Sequence, residues 1–224
     1  MKIFVALFSI LLSMPTWASS IIEPMGKVPS GIALTVDMCS GHTDDKVLDV
    51  LIQKQIKATF FVTSKWIKNN PSSVHLINQH PELFKIENHG AHHWVPLIGE
   101  KSPYGLRRVE TIEGLRQEVE GGKSAVEESF PGFPTPKYYR GATAQYDKES
   151  LAWLNSSHYQ VGVYSIAADG GGKFPPQVTL LKLKLAKDGD VIVIHGNHPE
   201  FKNGETLEKF LDKKDNKSFV WLEK

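Results

Sequence analysis

The chain has one cysteine, Cys39, in 224 residues. No internal disulfide can form, so the fold rests on an ordinary apolar core. Neither sign of charge is in excess, with 26 basic against 25 acidic residues. A nucleic-acid binder normally carries a basic surplus on one face, and this balance argues against that class of partner. No linker, repeat or low-complexity stretch divides the sequence. Long apolar runs are missing too. The one prominent run, within Met1–Leu12, holds about ten apolar residues, well short of the roughly 20 that a spanning helix requires.

That run follows Lys2 and precedes Pro15-Thr16-Trp17-Ala18, with small residues set for a cut after Ala18. This is the layout of a secretory signal peptide, an uncleaved N-terminal anchor being the rival reading. The expected organisation is a signal peptide over 1–18, a lead-in over 19–30 and one catalytic domain over 31–224. Cleavage leaves about 200 residues, enough for one domain with a real core. Export without disulfides fits a bacterial periplasm better than a small extracellular domain. The expected location is therefore periplasmic or secreted, with no stable membrane insertion once the signal is removed.

Strand-like apolar runs recur at Ile32–Val36, Ala58–Val62, Leu83–Ile86, Lys137–Tyr139, Gln160–Tyr164, Val191–Ile194 and Phe219–Leu222. Helical patterns lie between them: Asp44–Lys54, Thr111–Ser129, Lys148–Asn155, Val178–Leu185 and Glu205–Lys213, plus one starting near Asn70-Pro71 with Ser72 as its N-cap. Alternation of this kind predicts parallel β-α-β units in an open sheet or a barrel. Functional residues then collect at the carboxyl edge of the sheet.

Six polar residues fall at such positions. Asp37 ends the first run and His195 follows Val191-Ile192-Val193-Ile194. His89 and His93 stand four apart after Leu83–Ile86, Arg140 follows Tyr138-Tyr139, and Asp169 lies in Ala168-Asp169-Gly170-Gly171-Gly172. Two imidazoles at that spacing can converge on one cation. A carboxylate, a histidine pair and a lone histidine, each after its own strand, have the look of a metal-assisted hydrolase site. The glycines after Asp169 resemble a phosphate loop only superficially, because no Lys-Ser/Thr follows. His92 reads as surface filler. Tyr104, Tyr146, Trp94 and Phe174 can stack on a sugar ring or simply pack.

The order Thr35-Val36-Asp37, Ala58-Thr59-Phe60-Phe61-Val62, Asn88-His89 to His93, Tyr139-Arg140, Asp169 and Ile194-His195 resembles the polysaccharide deacetylase family, the NodB-homology domain. The resemblance runs from about Gly31 to Leu222. It implies an α/β fold, a distorted (β/α) barrel of about seven parallel strands, and removal of N-acetyl groups from a glycan such as peptidoglycan with help from a divalent metal. Zinc is the first expectation, with cobalt and nickel as alternatives. Carried over residue by residue, Asp37 matches the catalytic base and Arg140 the arginine that holds it. His195 matches the general acid, Asp169 the aspartate that supports it, and His89 with His93 the metal-binding histidines.

The chain departs from the family at Met38, where a second aspartate would supply the third metal ligand. Thioether is a poor ligand for zinc. The sequence instead reads Asp-x-Cys-x-Gly at 37–41, with Thr43-Asp44 downstream, as in a divergent bacterial branch. Asp44 is the expected third ligand, with Asp45 and Cys39 as alternatives; Asp44 and Asp45 also make sense as the start of a helix. The arginine loop, Arg140-Gly141-Ala142-Thr143-Ala144, departs as well, and one of its backbone N–H groups is an expected oxyanion contact. Two further readings stay open: an inactive carbohydrate-binding envelope protein that lost its metal through Met38, and a hydrolase of another linear amide or imide.

Overall fold

The computed structural model describes residues 21–98, 103–213 and 217–223. The expected signal peptide, residues 1–18, lies outside the described residues. Among those described, no helix is long and apolar enough to cross a membrane.

The first strand, β1 (Ile32–Met38), is the centre of the sheet and sorts its side chains by alternation. Ile32, Leu34, Val36 and Met38 face the helical layer and are at most 2% exposed. Complete burial of such side chains stabilises by about 1.5–3 kcal/mol each. Ala33, Thr35 and Asp37 point the other way. Ala33 joins an inner cluster with Phe61, Tyr138, Val163 and Val191, and Asp37 stands above it at the carboxyl edge.

With six further strands β1 makes a curled half-barrel of seven. β2 (Ala58–Val62), β3 (Phe84–Asn88), β4 (Tyr138–Tyr139) and β5 (Gln160–Val161) extend one side. β6 (Ile166–Ala167) and β7 (Val191–His195) form the other. The order is β5-β4-β3-β2-β1-β7-β6, every ladder is parallel, and a short β8 (Phe219–Val220) pairs with the start of β1. The expected parallel (β/α) barrel of about seven strands is the fold.

Helices α1 (Asp45–Gln53), α2 (Ser64–Asn69), α3 (Pro71–Asn78), α4 (Ile112–Ser129), α5 (Lys148–Ser156), α6 (Pro176–Lys184) and α7 (Asn203–Leu211) connect the strands. α1 buries Val47, Leu48, Val50 and Leu51, and α7 buries Leu207, Phe210 and Leu211.

Three details differ from the sequence reading. The run 160–164 is not one strand. Only its first two residues form a strand, β5, and β6 starts beyond the run at Ile166. The carbonyls of Gly162 and Val163 between them accept from Arg140 instead of joining a ladder. Gly162 permits this because a Cβ there would stand 2.6 Å from the Phe61 ring. The expected N-cap Ser72 lies inside α3, which starts at Pro71, and Asn70 occupies the cap position. Asn70 gives its side chain to the loop after β1 instead, accepting from Thr43 N–H at 3.0 Å and donating to the Gly41 carbonyl at 2.9 Å. Helix α2 was not expected at all; at six residues it is too short for periodicity to reveal.

Candidate active site

Parallel register places the functional residues side by side. Asp37 on β1 is level with His195 on β7 and with Phe61 on β2. Asn88, the residue before His89, is level with Val62 and with Tyr139, the residue before Arg140. Four strand ends therefore converge on one carboxyl edge.

Asp37 and Arg140 form the buried centre. Arg140 Nη1 donates to Asp37 Oδ1 at 2.6 Å and to Thr35 Oγ1 at 2.9 Å. Its Nε donates to the Gly162 carbonyl at 3.1 Å and its Nη2 to the Val163 carbonyl at 2.9 Å. The guanidinium also lies 4.0 Å from the Phe61 ring centre. Arg140 is 1% exposed, so these protein groups rather than solvent face its charge. A bidentate-capable fork locked at four points fixes the carboxylate it faces.

His89 is held from both ring nitrogens. Nδ1 donates to the Arg140 carbonyl, and Nε2 lies 3.4 Å from Cys39 Sγ and 4.0 Å from Asp37 Oδ2. Burial favours neutral His89, but Asp37, Cys39 and the carbonyl bond outweigh it and raise the imidazole above its ordinary range. His93 approaches from the loop beyond, its ring centre 4.9 Å from that of His89. The donor atoms of Cys39, His89 and His93 all lie within 4.8 Å of one another. Two imidazoles and a thiolate are zinc and cobalt chemistry, so the residues present fit a divalent cation.

Asp44, the expected third donor, is not among the donor atoms that gather with the pair in the described residues. Its Oδ2 accepts from Gly204 N–H at 2.8 Å, tying the start of α1 to the start of α7. Burial raises its carboxyl above the ordinary range, against the pull of the Gly204 and Lys46 N–H groups. Asp45 is exposed in the first turn of α1. Met38 is fully buried in the core.

The other side of the site is built around His195. Its Nδ1 lies 3.1 Å from both oxygens of Asp169, and its backbone N–H donates to Asp169 Oδ2 at 2.8 Å. Asn203 Nδ2 donates to the same carboxylate and to the His195 carbonyl, both at 2.9 Å. Burial works against charge on both partners. The ion pair nonetheless lowers Asp169 and, with Cys39, raises His195 well above its ordinary range. The His195 side chain is 19% exposed, so a proton held there can reach a substrate.

Cys39 is enclosed by these groups. Burial would raise its thiol, but His93, His195 and His89 together bring it well below the ordinary range. Its backbone is fixed: N–H donates to Asn197 Oδ1 at 3.3 Å and the carbonyl accepts from the Thr63 hydroxyl.

Sequence reasoning missed the group that shapes the His89–His93 loop. Glu118 on α4 is fully buried. It accepts from the His92 and Trp94 N–H groups at about 3.0 Å and pairs with His92 Nδ1 at 2.9 Å. Gly90, at φ +90°, lies so close that a Cβ would stand 2.3 Å from Glu118 Oε1. Asn88 Nδ2 adds a 2.7 Å bond to the Val119 carbonyl. A glutamate in a charged helix reads as solvated in sequence; only its position opposite Gly90 reveals its task.

Other expectations resolve by burial. Tyr146 is core, its hydroxyl accepting from Gly141 N–H at 2.9 Å, so that N–H is already committed and is not a free oxyanion donor. Tyr104 is 73% exposed and Phe174 37%. Trp94 stacks on His92, with Arg107 4.1 Å over its ring.

A curled parallel half-barrel with a carboxylate–arginine pair, a histidine pair and a carboxylate–histidine pair on its carboxyl edge defines the class. The polysaccharide deacetylase family model matches residues 26–162, and the chain belongs to that family. No curated protein matches. Three solved structures show the same fold. The Bc1960 peptidoglycan N-acetylglucosamine deacetylase is 22% identical with a TM-score of 0.67, over 86% of this chain and 89% of that one. The peptidoglycan deacetylase PdaC from Bacillus subtilis is 20% identical at 0.64, over 89% of each. A CE4 family pseudoenzyme from Bacillus anthracis is 13% identical at 0.64, over 84% of this chain and 62% of that one.

Proposed function

We propose that this protein is an exported, metal-dependent deacetylase that hydrolyses the N-acetyl groups of a glycan such as peptidoglycan. The observation that carries the reading is the convergence of Asp37–Arg140, His89–His93 and Asp169–His195 on one sheet edge. Family membership supports the class. The neighbouring pseudoenzyme shows why the residues must carry the rest: the fold alone does not make an enzyme.

An amide resists water because nitrogen stabilises its carbonyl and neutral water is a weak nucleophile. His89 and His93 would hold a divalent cation, zinc by the chemistry of these donors, which would supply the Lewis acidity that offsets both. Asp37 takes the proton from the attacking water, and Arg140, bonded to its Oδ1, keeps the carboxylate aimed. His195 gives its proton to the departing nitrogen, since an amine leaves only when protonated, and Asp169 keeps that imidazole charged until it does. The products are acetate and a free amino sugar. Tyr104 and Phe174 are exposed rings that a sugar can stack on. The signal-like Met1–Ala18 segment and the peptidoglycan named for two of the similar structures support an envelope substrate outside the cytoplasm.

The test is acetate release from N-acetylated chito-oligosaccharides and from peptidoglycan by zinc-loaded protein. Wild type should release acetate, while Asp37→Asn and His195→Ala should each lose about 10²–10⁴-fold. Wild-type inactivity on the whole panel, with zinc bound, would leave a carbohydrate-binding protein as the better account.

A further inference from the structure

We propose that Cys39 supplies the third protein ligand to the metal, giving a Cys-His-His site where a carboxylate is expected. The inference rests on the metallohydrolase reading above and deepens it.

Strand alternation carries the argument. Residues 37 and 39 share a side of β1 and its continuation, while position 38 faces the opposite side. Met38 accordingly lies in the core, where a Cβ on Gly196 would be 2.8 Å from its sulfur. Cys39 lies on the Asp37 side. It joins none of the apolar clusters among the described residues, although a free buried cysteine usually packs as a small hydrophobe. Its sulfur instead lies 3.4 Å from His89 Nε2.

That distance suits a shared cation. Bonds of about 2.3 Å to sulfur and 2.0–2.1 Å to nitrogen at a tetrahedral angle set the ligand atoms roughly 3.6 Å apart. The triad's donor atoms all lie within 4.8 Å of one another, so at most about 1–1.5 Å remains to close, and His93 is the least buried of the three. Cys39 and His89 are already fixed, the first through both backbone polar groups and the second through Nδ1. Such second contacts orient ligands before the metal arrives. Asp44 is not in the Cys39–His89–His93 donor group; its Oδ2 is turned to the Gly204 N–H at the start of α7. A thiolate ligand also biases the site toward zinc and cobalt and away from magnesium or manganese.

Cobalt(II) titration of metal-free protein, followed by absorption, tests this, with zinc affinity measured by chelator competition. Wild type should show an intense near-ultraviolet thiolate-to-cobalt band. Cys39→Ser should abolish the band and weaken zinc by more than roughly tenfold, since losing a mere orienting contact already costs 10–100-fold. Asp44→Asn should keep both band and affinity. Cobalt bound at the His89–His93 pair without a thiolate band, or metal lost in Asp44→Asn and kept in Cys39→Ser, would overturn the Cys39 ligand and leave the enzyme reading standing. No cobalt or zinc bound by folded wild type would overturn both.

Discussion

Replacing Arg140 with lysine keeps the positive charge and removes the fork, which separates electrostatics from architecture. Arg140 is 1% exposed and bonds Asp37, Thr35, Gly162 and Val163 at once. A lysine ammonium can follow Asp37 but cannot also reach the two carbonyls that close the gap between β5 and β6. Each buried carbonyl left without a donor costs about 1–3 kcal/mol, and disturbing the buried ion pair adds to that. The expected loss is about 3–5 kcal/mol, or a fall in midpoint of roughly 6–20 °C for a chain of this size. Urea and thermal unfolding of wild type and Arg140→Lys, both metal-free, measure it directly. A midpoint within about 3 °C of wild type would refute the reasoning, because Arg140 would then serve only the chemistry and not the closure of the barrel.

Further outcomes follow from the acid side and the histidine loop. His195 is raised well above its ordinary range, with Asp169 the foremost cause opposing burial. Asp169→Asn should therefore move the alkaline limb of the rate profile to lower pH, which a pH–rate series checks. The linked stability has a defined window. Depressed Asp169 contributes above its unfolded pKa and loses that contribution as pH falls, while raised His195 contributes below its unfolded pKa and loses that as pH rises through its folded one. The stability gap between wild type and Asp169→Asn should accordingly be widest in mildly acid solution and narrow toward both extremes. Glu118→Ala should weaken zinc binding by about 10–100-fold without touching a ligand, measured by chelator competition; unchanged affinity would mean that the loop holds its shape without Glu118.

Much of this fold is legible in the sequence because buried parallel strands are apolar runs and their ends carry the polar exceptions. Asp37, Arg140 and His195 stand out as charged or titratable residues at the ends of such runs, and His89 and His93 by their spacing. What is hidden is hidden for physical reasons. The break at Gly162–Ser165 contains Val163 and Tyr164, which look strand-like, and only the demand of Arg140 for carbonyls interrupts the ladder. Glu118 and Asn70 act across 24 or more residues of sequence, with no local pattern to betray them. Asp44 and Cys39 are both competent ligands on paper. Their difference lies in which side chain the fold sets beside His89 and His93, and that is not written in spacing.

The most direct test of the account is metal-dependent acetate release. Protein stripped by a chelator and assayed on an N-acetylated glycan should be inactive, about one equivalent of zinc should restore release, and His93→Ala should prevent the restoration. Equal release with and without metal, or restoration undiminished in His93→Ala, would contradict the claim that the three residue pairs on this sheet edge form a metal-assisted deacetylase site.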